Sequence, residues 1–217
     1  MNKVLSLLVA PVALLTLACG GASKEYTPQI KAQVASSLQY TNPTPKAGEW
    51  ALVQDASSTP AHLVLNLVGP KGPLYRGVGF TLQAASTKVK FAALDPTSTY
   101  SPYAKNGSIL QDMAADGVTP IAPLCATSGV KGDKLLVGIF QSGDDYAIQK
   151  TGGSTPKDCS TGPVLQIALD LNQLLETEPG PVPLVVTKAQ VIPSDISSYQ
   201  KRRMANIAVA VGTLVAK

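Results

Sequence analysis

The stretch that decides the fold is Arg76-Gly-Val-Gly-Phe-Thr-Leu-Gln83. Its large apolar side chains alternate with small or polar ones, so that Val78, Phe80 and Leu82 share one face. Alternation with a period of two is typical of a β-strand that buries one face and leaves the other open. The stretch therefore predicts a strand in a sheet that covers an apolar core.

Short runs of the same character follow along the chain, rich in Val, Ile and Leu and separated by Gly, Pro, Asp and Ser. Together with 76–83, the predicted strands are residues 49–54, 61–68, 87–93, 133–141, 163–171, 182–192 and 205–216. Because no helical period separates them, the strands must bury their apolar faces against one another. We therefore predict an all-β fold, an antiparallel β-sandwich of about eight or nine strands.

The predicted core is the set of inward-facing residues of these strands: Trp50, Leu52, Leu63, Leu65, Leu67, Val78, Phe80, Leu82, Phe91, Leu136, Ile139, Ile167, Val186 and Val209. The longest interval between predicted strands, residues 94–132, is too long for a plain loop in a compact domain. We expect it to hold local structure, with a helical turn at 108–115.

Composition excludes several other classes of protein. The 217 residues suit a single domain, and a charged fraction of only 15% with 18 Gly and 17 Pro excludes a coiled coil, a charged disordered tail and a helical bundle. The formal net charge of +4 is small and scattered along the chain. A nucleic-acid partner is therefore not expected.

The N-terminus has the pattern of an export signal. A short basic segment, Met1-Asn-Lys3, precedes an apolar run over residues 4–17 that is too short to span a bilayer. The following Leu15-Thr-Leu-Ala-Cys19-Gly resembles the lipobox of bacterial lipoproteins, with Thr16 where that family usually has Leu. The resemblance implies cleavage before Cys19 and lipidation of its sulfur and amine; a plain signal peptide with an incidental cysteine is the alternative.

The predicted organisation is a lipoprotein signal peptide at 1–18, a tether at 19–48 and the sandwich domain at 49–217. The tether is rich in Ser, Thr, Pro, Gln and Ala, and it allows one short helix with Ile30, Val34 and Leu38 on one face. Because Gly20 is not the Asp that retains lipoproteins at the inner membrane of enteric bacteria, the lipobox resemblance favours an envelope location at the outer membrane.

Two cysteines remain beyond Cys19, namely Cys125 and Cys159. An exported chain meets an oxidising compartment, so we expect them to form a disulfide, with two free thiols as the alternative. A metal site is not expected, because the sequence has no CxxC and a single histidine, His62.

The order of the predicted strands is similar to that of cohesin-like domains, which are jelly-roll β-sandwiches in the wider group of carbohydrate-binding modules. The resemblance covers about residues 50–192 and lies in apolar positions of six stretches: 62–68, 76–82, 88–91, 135–140, 164–169 and 183–189. Cohesins dock a dockerin module and related sandwiches bind polysaccharide. The resemblance therefore implies a binding module, without assigning contact residues.

Sequence motifs give no support for an enzyme. The chain has no GxSxG, HExxH or GxxxxGK[ST] motif, and no cofactor is expected. His62 lies alone in an apolar run and is interpreted as structural. Asp144-Asp145 is interpreted as a turn, although two carboxylates there leave a hydrolase as a minor alternative. Lys201-Arg-Arg203 is interpreted as a solvated approach to the last strand.

Four tyrosines in or beside predicted loops are the candidate ligand-binding residues, because their rings can stack on sugars or anchor a protein interface. They are Tyr75, Tyr100, Tyr103 and Tyr146. We therefore predict a non-enzymatic binding lipoprotein that is held to membrane lipid through Cys19 and binds polysaccharide or a protein module. The alternative is a structural or assembly lipoprotein of an envelope complex, such as secretion or pilus machinery.

Overall fold

The computed structural model describes residues 33–114, 116–141, 155–173, 176–194 and 204–217. Within these ranges the regular elements are all β-strands, and they form two large sheets and two small ones. The described part of the chain has no helix long and apolar enough to cross a membrane. The predicted all-β class is confirmed.

The first large sheet, called the front sheet below, has six strands. Five lie side by side, and the sixth, β11 (Lys157–Asp158), pairs with the central strand. The order across the sheet is β15 (Ala205–Asn206), β14 (Leu184–Pro193), β4 (Leu74–Ala84), β10 (Lys134–Phe140) and β9 (Leu124–Lys131).

The second large sheet, called the back sheet, also has six strands. Its sixth strand, β6 (Ala104–Asn106), pairs with β12 (Leu165–Leu171). Every pairing within this sheet is antiparallel except that of β16 (Val209–Val211) with β2 (Trp50–Gln54), which is parallel. The order is β16 (Val209–Val211), β2 (Trp50–Gln54), β3 (His62–Val68), β12 (Leu165–Leu171) and β5 (Val89–Ala92). The small sheets are β1 (Leu38–Thr41), β17 (Thr213–Ala216) and β13 (Gly180–Val182), and the pair β7 (Asp112–Met113) and β8 (Pro120–Ile121).

The core lies between the two large sheets, as predicted for a sandwich. Alternate residues of β4 and β10 point inward and join the inward side chains of β2, β3 and β12 in one buried cluster. Its largest fully buried members are Trp50, Phe80, Leu52, Leu63, Leu65, Leu67, Leu82, Leu110, Leu135, Ile139, Leu165 and Ile167. Most of the predicted core residues are therefore confirmed.

The prediction that Leu136 belongs to the core is wrong. Two other predicted core residues, Val186 and Val209, are only half-buried. Leu136 is 49% exposed, because Leu135 and Ile139 on the same strand point inward. A shift of one residue along a strand moves a side chain to the opposite face of the sheet. Leu136 therefore lies on the outer face of the front sheet.

Each of the eight predicted strand stretches contains a strand. The last stretch, 205–216, is divided into β15, β16 and β17, which join three different sheets. The long interval between β5 and β10 contains β6 to β9 where a helical turn was predicted at 108–115. The helical turn is wrong for Asp112 and Met113, which pair with β8, but a single hydrogen-bonded turn lies at 108–111, where the Gln111 amide donates to the Ser108 carbonyl at 3.2 Å.

The predicted tether also requires correction, because the folded domain begins well before residue 49. β1 pairs with β17 in the register Leu38 to Ala216, and the Ala35 amide donates to the Thr177 carbonyl at 2.7 Å. Residues 33–37 form no helix. The remainder of the predicted short helix lies outside the described residues.

Tyr40 fastens β1 to the sandwich. Its buried hydroxyl donates to the Leu52 carbonyl of β2 at 2.8 Å and accepts from the Gly212 amide at 2.7 Å. Burial raises the pKa of the Tyr40 phenol, which therefore stays neutral and keeps its donor hydrogen. One side chain thus joins the first strand to β2 and to the link between β16 and β17.

Candidate binding face

The four candidate tyrosines do not form one binding surface. Tyr75 is a core residue, since it lies on β4 and its ring centroid is 5.1 Å from that of Trp50. Tyr100 is 77% exposed, whereas Tyr103 is half-buried and packs against the core. Tyr146 lies outside the described residues. Tyr75 was predicted in or beside a loop, and it is the second residue of β4, which begins two residues earlier than the sequence pattern indicated.

The predicted disulfide is not formed, since Cys125 and Cys159 are two free thiols in the structure. Across β10, Cys125 is level with Val78 of β4. Asp158, which precedes Cys159, is level with Leu74. Along the strand direction, Cys125 and Asp158 are therefore four residues apart, from Val78 to Leu74, which is about 13 Å. Bridged cysteines need Cα atoms within about 7 Å, so this separation is too large for a disulfide.

Cys159 is buried and Cys125 is partly buried. Burial raises the pKa of Cys125 to about 11 and that of Cys159 to about 12. Because the thiolate is the reactive form of cysteine, these raised pKa values lower the reactivity of both groups at neutral pH.

Among the other residues considered for chemistry, His62 is paired with a carboxylate. His62 Nδ1 lies 2.6 Å from Asp170 Oδ1, with each side chain one-third exposed. No cluster of three metal-ligating side chains occurs among the residues that the structure describes. Asp144-Asp145 and Lys201-Arg-Arg203 lie outside those residues.

The outer face of the front sheet, called the front face below, carries several exposed apolar side chains. Apolar side chains that are 38% to 52% exposed lie on this face or at its edge: Leu124, Leu136, Phe140, Val185 and Met204. A contiguous apolar patch on a soluble surface is typical of an interaction site, whereas scattered single residues are not. The strand register shows how these side chains are arranged.

A row of small residues crosses the middle of the front face. Gly79 of β4 lies opposite Gly138 of β10, which lies opposite Ala126 of β9. Since side chains two residues apart share a face, Leu136 borders this row on one side and Phe140 borders it on the other. We call this depression the glycine trough.

The described residues leave the glycine trough open. Among them, a Cβ atom added at Gly138 would meet no atom nearer than the Val78 carbonyl oxygen at 4.0 Å. The cavity over the trough has a volume of about 410 Å³ and is lined by Gly79, Leu136, Lys188 and Met204 among others.

A β-bulge in β14 places a lysine at the trough. Thr187 pairs with Thr81 and Gln190 pairs with Gly79, so two residues, Lys188 and Ala189, stand opposite one residue of β4. Lys188 has a φ of 52°, a left-handed conformation that glycine adopts more readily than lysine.

The front face is basic. Lys131 and Lys134 are exposed and face each other across the turn between β9 and β10. Neither these two lysines nor Lys188 forms an ion pair with a described residue. The nearby Asp133 is engaged, because it accepts a hydrogen bond from the Gln83 amide at 2.6 Å.

The outer face of the back sheet differs in chemistry. Asp55 accepts from the Asn66 amide at 2.6 Å, and the Gln166 amide donates to the Asn66 oxygen at 2.9 Å. Hydrogen bonds, first of all from Ser57, lower the pKa of Asp55. The one apolar cluster identified there, Val64 with Ala92 and Ala168, is covered by Leu94. On this face Asp55, Asn66 and Gln166 are therefore engaged with one another, and Leu94 covers this apolar cluster.

A larger cleft of about 640 Å³ lies at the end of the sandwich near the turn between β9 and β10. Two polar side chains of its lining are already engaged: Asn172 donates to the Thr87 carbonyl at 3.0 Å, and Asp133 accepts from Gln83. Tyr103 contributes to its wall but packs on the core. We therefore regard the glycine trough as the candidate site.

The sequence analysis missed the residues of the trough. In Leu135-Leu-Val-Gly-Ile-Phe140 almost every residue is apolar, so alternation does not show which set faces the core. The two polar or small residues in even positions, Lys134 and Gly138, are the feature that could have assigned Leu136 and Phe140 to the outer face.

No protein-family model and no curated protein sequence matches this chain. Among solved structures, the chain is similar to the sixth cohesin of scaffoldin B from Acetivibrio cellulolyticus, crystallised with a mutant Cel5 dockerin. The identity is 14%, the alignment covers 77% of this chain and 97% of that one, and the TM-score is 0.45.

The chain is also similar to the second type II cohesin module of the ScaA scaffoldin from Acetivibrio cellulolyticus, with 9% identity, coverage of 80% and 99%, and a TM-score of 0.47. The corresponding values for the cohesin module of a family 33 glycoside hydrolase from Clostridium perfringens are 8% identity, coverage of 85% and 97%, and a TM-score of 0.37. These values describe a likeness of the chain path alone.

Proposed function

We propose that this protein is a non-enzymatic, membrane-anchored lipoprotein whose front face docks a protein partner. The observation that carries the proposal is the glycine trough, an open depression bordered by exposed Leu136 and Phe140. Exposed leucine and phenylalanine on a regular sheet lower the solubility of a monomer unless a partner covers them. The back sheet differs in this respect, because Leu94 packs over the apolar cluster on its outer face.

A protein partner suits this surface better than a polysaccharide does. Protein interfaces have an apolar centre with a polar rim, as do the trough and the Lys188 and Gln190 side chains that line it. Sugar binding relies on exposed aromatic rings, and of the candidate tyrosines that the structure describes only Tyr100 is largely exposed. Polysaccharide binding therefore remains a sequence-based prediction, and it is an outcome of the test below.

Anchoring is proposed from the sequence. Removal of 1–18 and lipidation at Cys19 would attach the chain to a membrane, which we take to be the outer membrane. Since the first strand begins at Leu38, the linking segment is shorter than the predicted tether of 19–48. A Cys19→Ser variant should move from the membrane fraction to the soluble fraction, and retention in membranes would contradict the proposed anchor.

The docking proposal can be tested with a photoreactive benzoylphenylalanine at position 136 of the full chain, irradiated in native membranes. The matched control carries the same probe at position 90, where Lys90 is exposed on the back sheet. We expect a discrete protein adduct from position 136 and none from position 90. No adduct, or the same adducts from both positions, would refute the docking face.

The identity of the adduct separates the two predicted classes of binding protein. A stoichiometric adduct with one fixed component of an envelope complex would assign an assembly role, whereas an exchangeable partner would assign a receptor-like role. Saturable retention of the full chain on insoluble polysaccharide, without any adduct from position 136, would favour carbohydrate binding and overturn the proposal.

A further inference from the structure

We propose that Lys188 recognises a carboxylate of the partner, so that the partner presents an aspartate or glutamate beside the apolar side chain that enters the glycine trough. This inference rests on the proposed function and specifies the chemistry of the partner.

The backbone at Lys188 is held in a conformation that its side chain disfavours. A left-handed residue with a Cβ atom is costly in comparison with glycine, and such positions persist where the surrounding structure enforces them. The bulge turns Ala189 into the core, where it is 8% exposed, and turns the neighbouring Lys188 outward to the trough. Glycine would meet the conformational requirement more easily, so the lysine side chain itself is the feature that needs explanation.

Charge on the front face indicates the sign of the group that Lys188 would meet. Lys131, Lys134 and Lys188 have no ion-pair partner among the described residues. The Asp133 carboxylate beside them is hydrogen-bonded to Gln83. A partner with a negative group at the edge of an apolar contact is therefore complementary to this face, and charge complementarity sets orientation and specificity at protein interfaces.

The position of Lys188 within the face also matters. Gln190, two residues further along β14, lies opposite Gly79 on the floor of the trough. Lys188 lines the same cavity, so its ammonium group can reach a carboxylate attached to whatever fills the trough. Lys131 and Lys134 lie at the end of β9 and β10, beyond Leu136, and would act only as a more distant basic rim.

The experiment uses the full chain with the photoreactive residue at position 136, now combined with Lys188→Gly, Lys188→Asn or Lys188→Arg. Glycine and asparagine both tolerate a positive φ, so neither should damage the bulge. We expect both to lower the adduct yield about threefold to fivefold at physiological ionic strength, and Arg to retain it. Lys90→Gln on the back sheet is the matched loss of charge and should leave the yield unchanged.

Two further measurements identify the interaction. Raising the salt concentration should lower the adduct yield of the wild-type chain more than that of Lys188→Gly, because salt screens a pair of charges. Mass spectrometry of the adduct should find an acidic residue within or beside the cross-linked peptide. Urea unfolding of each variant confirms that the fold is retained.

The outcomes distinguish this inference from the proposed function. If the adduct forms but Lys188→Gly and Lys188→Asn leave its yield and salt dependence unchanged, the front face docks a partner and the role of Lys188 is refuted. An adduct with a lipid in place of a peptide would also refute it. Absence of any adduct would overturn the proposed function and this inference together.

Discussion

Replacing Gly138 by Val should fill the glycine trough while leaving the sandwich intact. The added Cβ would have no described neighbour closer than 4.0 Å, so the substitution creates no clash with the part of the fold that the structure describes. Glycine inside a strand costs about 0.5–1 kcal/mol relative to alanine, and valine is well suited to strands. We therefore expect the free energy of unfolding to rise by about 0.5–1 kcal/mol.

The stability of Gly138→Val can be measured by urea denaturation. Trp50 is the single tryptophan and is 0% exposed, so its fluorescence reports the loss of the core. With a dependence of about 2 kcal/mol per molar urea, the midpoint should rise by about 0.3–0.5 M. A lower midpoint would show that position 138 is packed, contrary to the structure.

Binding should respond in the opposite direction. The valine methyl groups would occupy part of the 410 Å³ cavity and displace the partner's side chain. Overpacking of a fitted contact costs about 1–3 kcal/mol, and 1.4 kcal/mol is a tenfold loss of affinity. The adduct from position 136 should therefore fall about tenfold, while Lys90→Val on the back sheet should not change it. An undiminished adduct with a retained fold would refute the trough as the docking site.

Three further predictions concern the fold. Tyr40→Phe leaves two buried backbone groups without their partner and should cost about 1–3 kcal/mol of unfolding free energy; an unchanged urea midpoint would contradict the fastening role. Gly107→Ala drives a methyl group into the Pro163 carbonyl and should destabilise by about 1–3 kcal/mol; an unaltered midpoint would contradict that contact. Because burial raises the pKa of Cys125 to about 11 and of Cys159 to about 12, maleimide at pH 8 should modify neither in the native state and both in urea. A non-reduced mass showing a disulfide between them would contradict the two free thiols.

The strand pattern was predictable because the decisive forces are local. Alternation in stretches such as 76–83 and 61–68 needs only one buried face and one open face, and both stretches contain strands of the sandwich. β9 was missed since Leu124-Cys-Ala-Thr-Ser-Gly-Val-Lys131 has few large apolar side chains. That strand is held by its ladder with β10, which is a distant partner that a single stretch does not reveal.

β1 was missed for a related reason. The apolar spacing of Ile30, Val34 and Leu38 fits a helix, yet Leu38 pairs with Ala216 from the far end of the chain. Tertiary pairing overrode the local preference. The cysteines show the same limit, because their separation depends on the register of β9, β10, β4 and β11, which no sequence spacing specifies.

The candidate site was the least predictable part of the molecule. The tyrosines were chosen for their chemistry, but Tyr75 entered the core once β4 proved longer than predicted. The glycine trough depends on which residues of three neighbouring strands share a row, and Lys188 depends on a bulge. Both features arise from register, which is fixed by contacts across the whole sheet.

The pairing of β1 with β17 has a consequence for chain order. The amides of Ser36 and Ser37 both donate to the Lys217 carbonyl, at 2.6 and 2.9 Å, and the Lys217 amide donates to the Ser37 carbonyl at 2.8 Å. A short linker could therefore join residue 217 to residue 33, and the chain could be opened instead at the exposed Gly72. Such a circular permutant would retain the strand pairings described above, and its new ends would lie in the loop between β3 and β4. The domain could then be attached to a membrane anchor through that loop instead of through residue 33.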